Sequence, residues 1–175
     1  IIKNEVKMST ELLTISKIFH ESLFRIPDYQ RGYSWNETQL QDFWTDLEQL
    51  PDDKDHYTGV LTFEPVDQVT WSKWEDDAWI ISSRKFKPYY VVDGQQRLTT
   101  TIILLKNIID KSIQDNITLN YRNSEDIIKQ YLYENKVGTL SKSYIFGYEK
   151  DDPSYEFFKT EILEQDSNNH SPFQR

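Results

Sequence analysis

The amino-acid sequence predicts an α+β fold in which a small mixed β-sheet of short strands is covered by helices. Short runs of β-branched and aromatic residues alternate with segments whose apolar residues recur at helical spacing. The 175 residues favour one domain with its own core, and the 14% aromatic content is not that of a disordered chain. These patterns predict the mixture of elements but not the order of the strands.

The predicted domain occupies residues 9–165. Residues 1–8 are expected to be a tail, because Ile1 is not an initiator residue and Met8 is the only methionine. Residues 1–7 would then lie upstream of the native start, or the chain is an excised piece. Residues 166–175 are polar and are expected to lead into one or more downstream domains.

Two helices are predicted before residue 51. Ser9 or Thr10 is expected to cap a helix from Glu11 to about Phe19. Asn36 and Gln39 have the spacing of a capping box and predict the start of a second helix, which ends before the proline at position 51. Its apolar stripe is expected to face the core: Leu40, Phe43, Trp44 and Leu47. Its acidic residues are expected to form a solvated face: Asp42, Asp46 and Glu48.

The middle of the chain predicts one strand and one excursion. His56–Phe63 has the composition of a strand, in which Gly59 marks a bulge or a close backbone approach. Residues 64–87 form a polar, tryptophan-rich excursion that we interpret as a hairpin or loop insertion. Within it, Trp79–Ile81 is the favoured strand.

A strand-turn-helix unit is the most strongly patterned part of the sequence. The buried strand is Tyr89–Val92, the turn is Asp93-Gly94, and the helix runs to about Lys111. The following elements are a short strand at 117–121, a helix at 125–134 capped by Ser124, and a strand at 144–148. Asp152-Pro153 is expected to start a last helix, with proline in its first position.

The turn of this unit has the features of an anion site. Gly94 can adopt a positive φ, and the first turn of the helix offers unpaired N–H groups at the positive end of its dipole. Arg97 adds a guanidinium suited to phosphate, with Gln95 and Gln96 as neutral donors and acceptors. A second interpretation stays open, in which Asp93 is only a helix cap and Arg97 its ion-pair partner.

A second segment, Phe24–Trp35, combines arginine, glutamine and aromatic residues around a proline and a glycine. It is too irregular for a strand and too interrupted for a helix, so we predict a loop. A loop this aromatic and cationic indicates more than a solvated connection.

The composition excludes several kinds of site. A net charge of −9 and a pI near 4.8 argue against broad electrostatic binding of nucleic acid, so any DNA contact must be local. The absence of cysteine excludes disulfides and cysteine nucleophiles, and three histidines argue against a histidine-rich metal cluster. No apolar run is long enough to cross a bilayer and no signal peptide is evident, so we expect a cytoplasmic protein without membrane contact.

Two motifs together resemble a known family. Ile26-Pro27-Asp28-Tyr29-Gln30-Arg31-Gly32-Tyr33-Ser34-Trp35 and Asp93-Gly94-Gln95-Gln96-Arg97-Leu98-Thr99 are similar to the hallmark motifs of the GmrSD N-terminal (GmrS-like) domain family, within the ParB/sulfiredoxin-like superfamily. The segment His56-Tyr57-Thr58-Gly59-Val60-Leu61 resembles that family's short strand. The resemblance covers about Leu12 to Leu163 and implies a ParB/sulfiredoxin-like α+β fold.

The resemblance implies a function in restriction of modified phage DNA, with glucosylated cytosine or a phosphorothioate backbone as the modification. It links the Asp-Gly-Gln-Gln-Arg motif with binding and hydrolysis of a nucleoside triphosphate, and it implies a downstream HNH-type nuclease domain. The chain has no HNH arrangement of its own and no P-loop motif, so DNA cleavage is not assigned to it. Residues carried over from the two motifs are Tyr29, Gln30, Arg31, Asp93, Gly94, Gln95, Gln96 and Arg97.

We predict a Mg²⁺-dependent NTPase acting on GTP, ATP or CTP, with Asp93, Gln95 and Gln96 as its catalytic residues. The predicted nucleotide- and phosphate-binding residues include Arg31, Arg97, Gly94 at the helix start, Gln30 and Thr99. Other roles are Mg²⁺ binding by Asp93, water orientation by Gln95 or Gln96, base stacking by Tyr29 or Tyr33, and contact of His56 with a phosphate or the attacking water.

Three kinds of function remain open from the sequence. The first is a nucleotide-hydrolysing regulatory domain of a modification-dependent restriction protein. The second is a module that senses nucleotide or DNA phosphate without chemistry. In the third, the domain is purely structural and its arginines pair internally with carboxylates such as Asp28 and Asp93.

Overall fold

The computed structural model describes residues 10–119 and 122–164, so the expected tail, the polar C-terminal segment and Ser9 lie outside the described residues. The strands are β1 (Ser22–Ile26), β2 (Thr62–Pro65), β3 (Lys87–Asp93), β4 (Tyr133–Asn135), β5 (Lys142–Tyr144) and β6 (Phe146–Tyr148). The helices are α1 (Ile15–Ile18), α2 (Glu37–Glu48), α3 (Gln68–Trp71), α4 (Ala78–Arg84), α5 (Gln95–Gln114), α6 (Ser124–Tyr131) and α7 (Tyr155–Phe157), and α7 continues into a π-helical turn, Phe158–Leu163.

The main sheet has four strands in the order β2-β3-β1-β6. Strand β1 runs parallel to both β3 and β6, whereas β2 runs antiparallel to β3. Strands β4 and β5 form a separate antiparallel pair. A mixed sheet with covering helices confirms the predicted α+β class.

The core forms around the central strand β1, all five residues of which are buried. Its apolar side chains pack with one side of α5 and with aromatic residues of β6 and the π-helical turn. A strand flanked by parallel neighbours and covered by helices is buried on both faces, which favours a continuous apolar run. The largest fully buried side chains are Phe19, Phe24, Phe146, Leu23, Ile26, Ile80, Leu98, Ile102, Ile109 and Ile145.

The prediction of a loop from Phe24 onward was wrong at its start, because Phe24, Arg25 and Ile26 belong to β1. The irregular composition of the whole segment argued against a strand. In the fold, its buried guanidinium donates to Asp77 at 2.5 Å and to the carbonyl of Tyr144 at 2.9 Å. Paired in this way, arginine is tolerated inside the sheet.

Residues 66–86 of the tryptophan-rich excursion form an insertion between β2 and β3 that contains two short helices, so of the two alternatives the hairpin is wrong. Asp67 caps α3 by accepting from the amide of Thr70, and Trp79–Ile81 lies in α4 rather than in a strand. Helix α4 buries Ile80 and Ile81 and ends at Arg84, and its C-cap residue Lys85 adopts a left-handed conformation. Periodicity cannot distinguish a short buried helix from a short buried strand, and packing decides here.

Several boundaries also differ from prediction. Helix α1 is capped by Thr14 rather than Thr10, and Leu12 is 87% exposed. The strand expected at residues 56–63 is formed at Thr62–Pro65 instead, with its register shift between Thr62 and Phe63 rather than at Gly59. Residues 56–61 form an irregular segment.

The C-terminal half shows similar shifts. Asn123 rather than Ser124 caps α6, which ends before residues 133–135 pair as β4. The single strand expected at 144–148 is divided between β5 and β6, which belong to different sheets. The strand expected at 117–121 is reduced to one bridge between Leu119 and Arg122, and residues 120 and 121 lie outside the described residues. The last helix begins after Ser154, not at Pro153.

Candidate functional site

The two motif segments meet at the start of α5. The side-chain amide of Gln95 donates to the carbonyl of Arg31 at 3.0 Å, and that of Gln96 donates to the carbonyl of Gly32 at 3.1 Å. The amide of Ser34 donates back to Oε1 of Gln96 at 2.8 Å. Both glutamines are buried. They therefore hold the 27–35 loop against the helix that carries the second motif.

Further bonds fix the same loop to the end of β3. The side chain of Gln30 donates to the carbonyls of Val91 and Val92 at 2.9 and 3.0 Å. The hydroxyls of Tyr33 and Thr100 lie 2.8 Å apart. Because these contacts tie side chains of the loop to the backbone of β3 and to a side chain of α5, they hold the loop beside the turn.

The turn itself leaves the start of α5 uncapped. Gly94 has a φ of +89°, and a Cβ at this position would lie 2.3 Å from Cδ2 of Leu61, so both conformation and space require glycine. Within the described residues, no side chain caps the helix, and the first intrahelical donor is the amide of Leu98. The amides of the three preceding residues point out of a 20-residue helix at the positive end of its dipole.

Arg97 projects from the first turn of α5 toward the 56–61 segment. Its guanidinium donates to the carbonyl of Thr58 at 2.9 Å and to that of Val60 at 2.7 Å. It also lies 3.8 Å from the carboxylate of Asp93, whose side chain is mostly exposed. These two bonds leave the remaining donors of its five N–H groups free for another partner.

Arg97 also borders a cavity of about 340 Å³, which we call the α2 cavity. Its walls come from α2, from the 56–61 segment and from Arg97. The lining residues are Trp35, Gln39, Asp42, Phe43, Asp46, His56, Tyr57, Thr58, Gly59 and Arg97. Phe43 packs near two other rings, with its centroid 5.9 Å from that of Trp35 and 6.2 Å from that of His56. The cavity thus joins aromatic surface, two carboxylates, one imidazole and one guanidinium.

The structure brings only two of the predicted site residues, His56 and Arg97, to the wall of this cavity. Gln95 and Gln96 bind carbonyls of the 27–35 loop instead, and Gln30 binds carbonyls at the end of β3. Tyr29 is 72% exposed, and the exposed guanidinium of Arg31 makes no hydrogen bond or ion pair with any described residue. Asp93 lies beside Arg97 but does not line the cavity. Whether Arg31 and Arg97 share one ligand stays a prediction.

Thr99 is buried one turn after Gln95, with its hydroxyl 3.5 Å from that of Tyr148. Burial raises the pKa of Tyr148 to about 12. Thr99 therefore lies in the interior, and its contact with phosphate stays a prediction.

Sequence reasoning missed the contribution of α2. The capping box of Asn36 and Gln39 is confirmed, but the helix buries no residue and Trp44 is 49% exposed, so the expectation of a core-facing stripe was wrong. Asp42 and Asp46, expected only to be solvated, border the cavity. Their spacing of four residues around Phe43 was the available signal, because it places all three on one side of a helix.

No group of three His, Asp or Glu side chains able to hold a metal occurs among residues 10–119 and 122–164. Asp93 could contribute only a single carboxylate. Mg²⁺ is commonly held by one or two carboxylates together with substrate phosphates, so this chemistry fits a metal that arrives with a nucleotide. Among the described helices, none is both long and apolar enough to span a bilayer.

The fold and site define an α+β domain in which a strand-turn-helix unit and a clamped loop border an arginine-bearing cavity. Comparison with protein families identifies it: the model described as GmrSD restriction endonuclease, N-terminal domain, matches residues 13–174, and the chain belongs to that family. Family membership makes the chain a module of a restriction and defence protein. A comparison with curated proteins found no match.

Proposed function

We propose that this chain is the nucleotide-binding regulatory domain of a modification-dependent restriction protein, and that the α2 cavity binds a nucleoside triphosphate with Mg²⁺. The observation that carries the proposal is the position of Arg97. Its guanidinium stands at the first turn of an uncapped helix and at the wall of a cavity with aromatic surface.

The phosphate end of such a site would lie at Arg97. A guanidinium offers a planar fork for phosphate oxygens, and the unpaired amides at the start of α5 add donors at the positive end of a dipole. The two bonds from Arg97 to Thr58 and Val60 use part of this capacity. An incoming phosphate would take the free donors or compete with the two carbonyls.

The size and charge of the cavity support the magnesium complex rather than a free nucleotide. About 340 Å³ lies within the range of small-ligand pockets. The carboxylates of Asp42 and Asp46 would repel a bare triphosphate, whereas bound Mg²⁺ neutralises much of its charge. When bound, the metal supplies charge neutralisation at the phosphates. We keep Asp93 as the candidate for a contact with metal-bound water.

Hydrolysis needs a group that positions water near the phosphate. Gln95 and Gln96, predicted for that role, bind carbonyls of the 27–35 loop, so they can act on water only if the loop moves. His56 borders the cavity with Arg97 and is the better placed candidate. The same glutamine bonds favour a second candidate function, nucleotide binding without turnover.

The proposed partners are modified DNA and an HNH-type nuclease domain or subunit. With a net charge of −9, DNA contact by this domain has to be local. Arg31 and Tyr29 offer one exposed cation and one exposed ring on a loop whose backbone is fixed. We expect salt-sensitive binding that prefers modified over plain DNA and that Arg31→Ala weakens. Equal binding of the two DNAs would place recognition elsewhere.

Thermal unfolding with GTP, ATP or CTP, each with and without Mg²⁺, tests nucleotide binding. We expect a higher melting temperature with Mg²⁺ and nucleotide together, and no shift in Arg97→Ala. Arg84→Ala is the matched control, because Arg84 lies on α4 and does not border the cavity. The proposal fails if no triphosphate shifts the wild-type protein.

Phosphate release distinguishes the two candidate functions. If the domain hydrolyses nucleotide, turnover in the wild type should be lost in His56→Ala while the thermal shift remains. If binding persists without any release of phosphate by the wild type, the sensing function replaces hydrolysis.

A further inference from the structure

Helix α2 presents one regular face to the cavity. Gln39, Asp42, Phe43 and Asp46 follow the spacing i, i+3, i+4 and i+7, and all four border the same space. The helix is fixed by its capping box and buries no residue of its own. Its cavity face therefore serves something other than the core of the domain.

The carboxylates on this face are free acceptors. Across the described residues, neither Asp42 nor Asp46 makes a hydrogen bond or an ion pair. This differs from Asp93, which faces Arg97, and from Asp77, which is paired with Arg25. Two unpaired carboxylates beside aromatic rings favour a ligand that is flat and rich in hydrogen-bond donors.

The cavity also has chemically different walls. Arg97 comes from α5 and suits phosphate, whereas Phe43 and the two carboxylates come from α2, with Trp35 packed against Phe43. A nucleotide that places its phosphates at Arg97 would present its base to the α2 side. There the rings offer a stacking surface and the carboxylates can contact the edge of the base.

Among the common bases, guanine matches a carboxylate best. Its Watson–Crick edge presents two adjacent donors, the N1–H and the 2-amino group, which one carboxylate can accept together. Adenine and cytosine present a donor beside an acceptor, and uracil has one N–H between two carbonyls, so each would set an acceptor against the carboxylate.

We propose that Asp42 and Asp46 read the base and make the cavity selective for guanine nucleotides. The inference rests on the proposed function, because it concerns the same site. It adds the class of nucleotide and assigns the selectivity to α2. Asp42 and Asp46 are exposed in the unliganded domain, and a bound base would cover the carboxylate that it contacts. A base without matching donors would then leave that carboxylate without a partner, which is the usual basis of strong discrimination between similar ligands.

Calorimetric titration of the full chain with GTP, ATP, CTP, UTP and XTP, all with Mg²⁺, tests the assignment. We expect wild-type protein to bind GTP about tenfold or more tightly than the other nucleotides. Asp42→Asn and Asp46→Asn should each be tested. The variant that lacks the carboxylate in contact with the base should lose most of the preference for GTP. It should also gain affinity for XTP, because the asparagine amide can donate to the 2-carbonyl of xanthine.

Glu48→Gln is the matched control, since it changes the same charge on the same helix at a position that does not border the cavity. It should leave the nucleotide preference unchanged. The gain for XTP cannot arise from misfolding, so it separates base reading from damage to the helix. Equal binding of all nucleotides, or an equal loss for all of them in both aspartate variants, overturns the inference alone. Failure of every nucleotide to bind overturns the proposed function as well.

Discussion

The guanidinium of Arg97 fills the space that a side chain at Gly59 would occupy: a Cβ at residue 59 would lie 1.9 Å from Nη1 of Arg97. Gly59 also has a φ of +87°, which side chains rarely adopt. The carbonyls on either side of it, from Thr58 and Val60, accept from the same guanidinium. Gly59 and Arg97 therefore form one unit that fixes the 56–61 segment at the cavity wall.

Gly59→Ala is expected to lower the free energy of unfolding by about 2–4 kcal/mol, through backbone strain and the loss of one or both Arg97 bonds. Urea unfolding measures this change. Gly138→Ala is the control, because Gly138 has a φ of +79° but nothing within 4 Å of the added Cβ. The extra cost at residue 59 should disappear in an Arg97→Ala background. Equal costs for the two glycines would contradict the assigned contact.

Gln96→Ala should destabilise the domain by about 2–4 kcal/mol. The change removes two hydrogen bonds of a side chain that is 7% exposed, and it leaves the Ser34 amide and the Gly32 carbonyl without this partner. Denaturant unfolding and limited proteolysis of the 27–35 loop provide the measurement. Gln41→Ala, at an exposed position with one bond to Thr45, should change stability by no more than about 0.5 kcal/mol. A similar effect at both sites would show that Gln96 does not hold the loop.

The parts of the fold that the sequence predicted well are those decided by neighbouring residues. The capping box needs only Asn36 and Gln39, and the turn needs only the left-handed conformation of Gly94. The long amphipathic α5 follows from its own periodicity. Strand β1 was missed because the burial of Arg25 depends on Asp77, 52 residues further along the chain.

The candidate site also has features that the sequence predicts and features that depend on residues distant along the chain. His56 and Arg97 were predicted and border one cavity, because the motif residues lie on segments that the sheet brings together. The role of Gln95 and Gln96 as clamps could not be predicted, since it depends on carbonyls of a distant loop. The cavity face of α2 depends on where residues 56–59 run, which no local pattern specifies.

Asp77→Asn is expected to cost about 3–5 kcal/mol of unfolding free energy, because it leaves the buried guanidinium of Arg25 without its carboxylate partner. Chemical denaturation measures the loss. Asp115→Asn, which breaks the exposed pair with Lys111, should cost about 0.5 kcal/mol or less. If the two changes cost the same, the Arg25–Asp77 pair is not a buried pair in solution. A much larger loss of unfolding free energy in Asp77→Asn than in Asp115→Asn would also explain how Arg25 is accommodated in the central strand.

Asp152→Asn should stabilise the protein at neutral pH and lose that advantage in acid. Asp152 is 4% exposed; its Oδ1 accepts from the Ser154 amide, and its Oδ2 has no hydrogen-bond partner among the described residues. Burial raises the pKa of Asp152 above the ordinary value of 3.8, so the native state binds this proton more tightly than the unfolded state. Its contribution to stability is therefore full below that ordinary pKa and is lost as the pH rises through the native pKa. Asparagine stays neutral and can keep the bond to Ser154.

Melting temperatures of both proteins from about pH 4 to neutral pH measure the difference, with the exposed Asp151→Asn as the charge-matched control. A stabilisation that does not change with pH would show that the charge of Asp152 is not its cause.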